Sequence, residues 1–92
     1  MKQCLDKDQT AKLIELGFPE PSPKFIHIGG VSYDSNHNYS IGELIEFLEH
    51  RIYRIENDMQ WLVDGVRVYR ADDELINALF EACVTLKEEG LV

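Results

Sequence analysis

The side chains of this sequence that could carry chemistry are few and scattered. Asp34, Asn36 and Asn38 stand at alternate positions ahead of Ile41. That is the spacing at which oxygen ligands enter a calcium loop. Such a loop needs glycine at its sixth position for the sharp turn and a bidentate acid at its twelfth. Tyr39 and Ile45 stand there instead. Asp and Asn are also ordinary turn residues, so a plain polar loop over 34–39 is expected. The histidines, His27, His37 and His50, match no metal spacing. His27, Tyr33 and His37 are the contacts that a small-molecule or metal-binding loop over 29–39 would use, and that is the alternative function.

Nucleophilic catalysis needs a Ser or Cys activated by a base. No Gly-x-Ser-x-Gly occurs, and Ser22, Ser32, Ser35 and Ser40 fall in a linker, a strand, a turn and a helix cap. There is no Cys-x-x-Cys; Cys4 and Cys83 read as free thiols, with Cys83 buried on a helix stripe. Gly29-Gly30 precedes a strand-like run with no Lys behind it, so it is no phosphate cradle. The carboxylates repeat on solvated helix faces, where desolvation cannot lift a pKa. No catalytic residue, metal or cofactor is expected, and the chain is not expected to be an enzyme.

The bulk numbers narrow the partners. Nine Lys and Arg against seventeen Asp and Glu leave −8, divided as −4 in residues 1–50 and −4 in 51–92. Without a basic stripe the chain repels phosphate backbones, so no direct nucleic-acid partner is expected. An acidic decoy that mimics DNA is a further alternative. No apolar run approaches the roughly 18–20 residues of a membrane span, and Met1-Lys2-Gln3-Cys4-Leu5-Asp6 has no hydrophobic stretch behind its Lys. No membrane, secretory signal or lipoprotein cysteine is expected, and the expected compartment is the cytoplasm. An apolar share of 45% in 92 residues supports one small core and one domain, 1–92.

The elements follow from capping and periodicity. Asp6 with Gln9 starts a first helix whose apolar face is Leu13, Ile14 and Leu16, ending at Gly17. Pro19, Pro21 and Pro23 make a stiff connector. Phe25–Ile28 and Val31–Tyr33 read as strands across Gly29-Gly30. Ser40 with Glu43 starts the second helix, stapled by Tyr39, with Ile41, Leu44, Ile45 and Leu48 inward. A meander follows over 52–56, 60–63 and 66–69, with Asp64-Gly65 as its second turn. The third helix starts at Asp72 or Asp73, carries Leu75, Ile76, Leu79, Cys83 and Leu86, and closes at Gly90. The order α-β-β-α-β-β-β-α predicts an α+β fold, three helices on one face of a small antiparallel sheet.

Sidedness in the meander is set by where apolar groups must hide. A three-residue loop, Asn57-Asp58-Met59, places Trp61 opposite Ile55 and gathers Tyr53, Ile55, Trp61, Val63, Val66 and Val68 on the core face. The second face then holds Ile52, Arg54, Glu56, Gln60, Leu62, Arg67 and Tyr69. Tyr and Arg are enriched in interfaces, since each joins large contact area to a polar end. Arg54, Leu62, Arg67 and Tyr69 are therefore the predicted interaction surface, for a protein partner or a second copy in a homodimer.

Leu5–Thr10, Tyr39–Ile45, Trp61 in its strand, and Asp73–Glu81 together resemble small uncharacterised proteins of gut-bacterial genomes and their prophages or mobile elements. The resemblance spans nearly the whole chain on structural motifs. It implies a bacterial cytoplasmic protein of phage origin and carries over no site residues.

Overall fold

A computed structural model describes residues 2–22 and 24–91, with the side chains of 24–28, 31–36 and 50 outside that description. The described elements are α1 (Lys7–Glu15), β1 (Lys24–Ile28), β2 (Val31–Asn36), α2 (Ile41–Leu48), a 3-10 turn (Glu49–Arg51), β3 (Ile52–Asp58), β4 (Gln60–Gly65), β5 (Val68–Asp72) and α3 (Leu75–Glu88). The class and order are those the sequence predicts. The strands divide into two antiparallel sheets, β1-β2 and β3-β4-β5.

Both predicted capping boxes form. Asp6 accepts from the Gln9 amide at 2.8 Å, and the Gln9 side chain answers the Asp6 amide at 3.2 Å. The Glu43 amide donates to Ser40 Oγ at 3.3 Å, while Glu43 takes the Ser40 amide at 3.0 Å. Glu43 also accepts from the Ser22 amide at 3.0 Å, which ties the proline connector to the start of α2. The first residues are held too: the Leu5 amide donates to the Tyr39 carbonyl, and the Ile41 amide to Gln3.

α3 is the centre of the molecule. It packs on β4 and β5 with one side and on α2 with another. Leu75, Ile76, Leu79, Cys83 and Leu86 are buried as expected, joined by Ala78 and Ala82, because a helix between two layers buries more than one stripe. The predicted start at Asp72 or Asp73 is corrected to Leu75, behind the cap residue Glu74. Asp72 is still the end of β5, and from there its carboxylate accepts the Glu74 amide at 2.9 Å. In α2, Leu44 and Leu48 are buried, but Ile45 is left 42% exposed. Phe47 turns in instead, against Phe18 at 5.0 Å and Tyr39 at 5.6 Å between ring centroids. Phe18 is held there by the end of α1, where its amide donates to the Leu13 carbonyl at 3.1 Å behind a left-handed Gly17.

Four details of the strands differ from the sequence reading. The 34–39 loop is corrected: β2 continues to Asn36, paired back to Lys24 across an irregularity, so β1 satisfies backbone groups that a free loop would leave to water. The first meander turn is tighter than expected. Asp58 pairs with Gln60 around a left-handed Met59, so Trp61 lies opposite Asn57 and Val63 opposite Ile55. The shift is two residues, which leaves the faces unchanged. The second turn is Val66-Arg67 rather than Asp64-Gly65, because Gly65 has another task. A Cβ there would sit 2.0 Å from the Arg51 carbonyl oxygen, so glycine lets the two backbones cross. Finally, a bulge at Tyr53 puts Ile52 opposite Gly65 and Arg54 opposite Asp64. Ile52 thereby joins the core side, and Tyr53 is expelled to 72% exposure.

Candidate interaction surface

The three-stranded sheet has one covered face and one open face. Val63 and Val68 are buried under α3, with Ile52, Ile55 and Trp61 packed against the same core. The sidedness argued for Trp61, Ile55 and Val68 therefore holds. Register then dictates the other face. One row across the sheet is Arg54, Asp64, Tyr69; the next is Glu56, Leu62, Ala71; the last pairs Asp58 with Gln60.

The rows have distinct chemistry. Tyr69 is 56% exposed at the β5 end, and the half-buried Leu62 lies one row away on the central strand. Arg54 lies between two carboxylates, 3.6 Å from Glu56 and 3.5 Å from Asp64. Its guanidinium is thus held beside both carboxylates on the face. The pairs are about half exposed, so they add little to stability; their effect is to fix where the charge sits. Arg67, predicted on this face, stands in the β4–β5 turn in a left-handed conformation, beyond the rows. It reaches that place because β4 runs on through Gly65. Arg54, Leu62 and Tyr69 are the predicted residues that the fold brings together.

Two features were not read from the sequence. Ile45 and Glu49 face Ile52, Tyr53, Arg54, Ile55 and Leu79 across an apolar groove of about 280 Å³ beside β3. It depends on the bulge and on the outward turn of Ile45, neither of which leaves a mark in hydrophobic periodicity. On the other edge, Arg70 folds over toward α3. It donates to Thr85 Oγ1 at 2.6 Å and to the Tyr69 carbonyl at 3.0 Å, with Glu81 4.0 Å from its Nε.

The alternative loop residues fall elsewhere. The backbones of His27 and Tyr33 lie in β1 and β2, opposite Ser32 and Ile26, and their side chains are outside the described residues. His37 lines a shallow hollow of about 240 Å³ with Ile14, Glu20 and Pro21. Among the described residues no three His, Cys, Asp or Glu side chains gather as a metal site, and no helix is long and apolar enough to cross a membrane.

The buried titratable groups are packing groups. Burial pushes the Cys83 thiol up to about 12, so it stays protonated at neutral pH, with Sγ 4.0 Å from the Leu44 carbonyl. Burial, then the nearby Glu43 and Glu20, raises the Tyr39 phenol above its ordinary value. The phenol donates to the Pro19 carbonyl. Compared with known proteins, the chain matches no family model, no curated sequence and no solved structure.

Proposed function

We propose that this chain is a non-enzymatic protein-interaction module that binds through the open face of its three-stranded sheet. The observation that carries the reading is the row structure itself: Tyr69 and Leu62 form an apolar centre, and Arg54 is oriented beside it by Glu56 and Asp64. A tyrosine ring and an oriented guanidinium around an aliphatic side chain are the components of a binding hot spot. The carboxylates Glu56, Asp58 and Asp64 border that centre, and the whole chain carries −8. The fitting occupant is a protein surface with an apolar centre and a basic rim. Binding would bury the Tyr69 ring and the exposed part of Leu62 and would strengthen the Arg54 pairs by removing water from them.

The test is capture from the native host followed by measurement on the purified partner. Leu62→Asp with Tyr69→Ala should weaken that binding by roughly 2 kcal/mol or more, about thirtyfold. Salt should slow association with the unaltered protein. Equal affinity of the double variant for the same purified partner, in a folded chain, would remove the proposal.

A further inference from the structure

The outer edge of β3 carries a second surface, which shares Arg54 and Glu56 with the open face but not Leu62 and Tyr69. The β4–β5 hairpin closes on the pair Gly65–Val68 around a two-residue turn. In such a hairpin the closing pair exchanges both hydrogen bonds, and the pairs alternate from there. Gly65, Val63 and Trp61 therefore bond toward β5, and Asp64, Leu62 and Gln60 toward β3. Their β3 partners are Arg54, Glu56 and Asp58. Ile55 and Asn57 are left with amide and carbonyl pointing out of the sheet, where no strand pairs with β3 among the described residues. By the same alternation the Tyr69 carbonyl points out of the β5 edge, and there the Arg70 guanidinium already caps it. The two edges thus differ: β5 is guarded by its own side chain, and beside β3 lies the apolar groove lined by Ile45, Tyr53 and Ile55.

We propose that β3 pairs antiparallel with β3 of a second copy about a two-fold axis through Ile55, joining two three-stranded sheets into one of six. Charge selects both the occupant and the register. With helices on the same side, symmetric registers centre on a single residue. Centred on Arg54, two arginines meet; centred on Glu56, two glutamates meet. Centred on Ile55, Arg54 of each copy faces Glu56 of the other, twice over. The two Ile55 residues then exchange two main-chain hydrogen bonds. Their side chains lie together on the helix side, at the mouths of the two grooves. An unguarded edge is a template for such pairing, and the strand is complementary to itself.

The test uses the full chain and its solution mass across concentration. The unaltered protein should show a monomer–dimer equilibrium. Arg54→Glu or Glu56→Arg alone should weaken self-association about tenfold or more, as two facing pairs turn from attraction to repulsion. Mixing those two variants should restore dimers, now mixed, because each supplies the charge that the other lost. Ile45→Glu, on the α2 side of the groove, should weaken pairing without altering the strand. Amide exchange on the unaltered protein gives a readout free of any folding defect. The Ile55 amide should exchange more slowly as concentration rises, while the Arg54 and Glu56 amides, already bonded to β4, should not change. Leu62→Asp with Tyr69→Ala should still dimerise, which separates this proposal from the face-binding one. The proposal is overturned by a chain that stays monomeric when concentrated, by a dimer indifferent to both charge changes, by single variants that remain apart when mixed, or by a dimer lost on Leu62→Asp with Tyr69→Ala.

Discussion

Cys83 carries the clearest residue-scale consequence. Its thiol is raised from 9.0 to about 12 because burial penalises the thiolate. A raised pKa in the folded chain means that the folded state holds its proton where the unfolded state has lost it. The associated stability is complete below about pH 9 and is lost as pH climbs toward 12. Three pH units correspond to about 4 kcal/mol. Tyr39, raised by burial and then by Glu43 and Glu20, acts with the same sign. Urea midpoints should therefore hold steady up to pH 9 and fall beyond it. Cys83→Ala should lower the stability at neutral pH by about 1 kcal/mol through the lost packing and flatten the alkaline fall. Parallel alkaline curves for the two chains would show that the thiol is not buried in solution. The sequence already placed Cys83 on the inner stripe. It could not place Ile45 and Phe47 correctly, because Phe47 turns in against Phe18, which the end of α1 supplies from far along the chain.

At the scale of elements, the meander shows what periodicity can and cannot specify. Alternation placed Ile55, Trp61, Val63 and Val68 on one face and Arg54, Leu62 and Tyr69 on the other, since burial penalises every one-residue slip. Two-residue shifts preserve the faces, so the pattern could not choose between the expected loop and the tighter turn at Met59. The bulge at Tyr53 was equally silent, and it reverses Ile52 and Tyr53 locally. Gly65 is the hinge of this arrangement. Gly65→Ala would place a methyl against the Arg51 carbonyl oxygen, a backbone atom that cannot swing away. The substitution should destabilise the chain by about 3 kcal/mol or more, and thermal unfolding would measure it. A loss below about 1 kcal/mol would mean that the Arg51 and Gly65 backbones do not cross this closely.

The molecule as a whole is longer than a sphere of its size. Its Cα radius of gyration is 13.9 Å and its extents are 45 × 31 × 22 Å, against roughly 12 Å for a compact domain of this length. The β1 and β2 backbones pair with each other and lie near no other element to a comparable extent, and the Gly29-Gly30 turn between them is exposed, with nothing within 4 Å of either added Cβ. Four residues of Gly and Ser inserted between Gly29 and Gly30 should therefore cost less than about 1 kcal/mol, the modest penalty of a longer loop. The same insertion between Val66 and Arg67 should cost clearly more, because the Val66 amide donates to Arg51 at 2.7 Å and the turn sets the register of β5. Chemical denaturation of the two insertions would compare them. Equal losses would show that the hairpin belongs to the cooperative core.

Capping boxes, the inner stripe of the third helix, the glycine turn of the first hairpin and the two sides of the meander beyond its bulge were determined by the sequence alone. Each rests on residues within a few positions of one another, or on the rule that apolar groups avoid water. The tertiary structure decided the rest: the bulge, the second turn, the groove beside β3 and the guarded edge of β5. Those depend on which distant backbone crosses Gly65 and which side chain reaches a free carbonyl. Such meetings are settled by packing in three dimensions and leave no periodic trace along the chain.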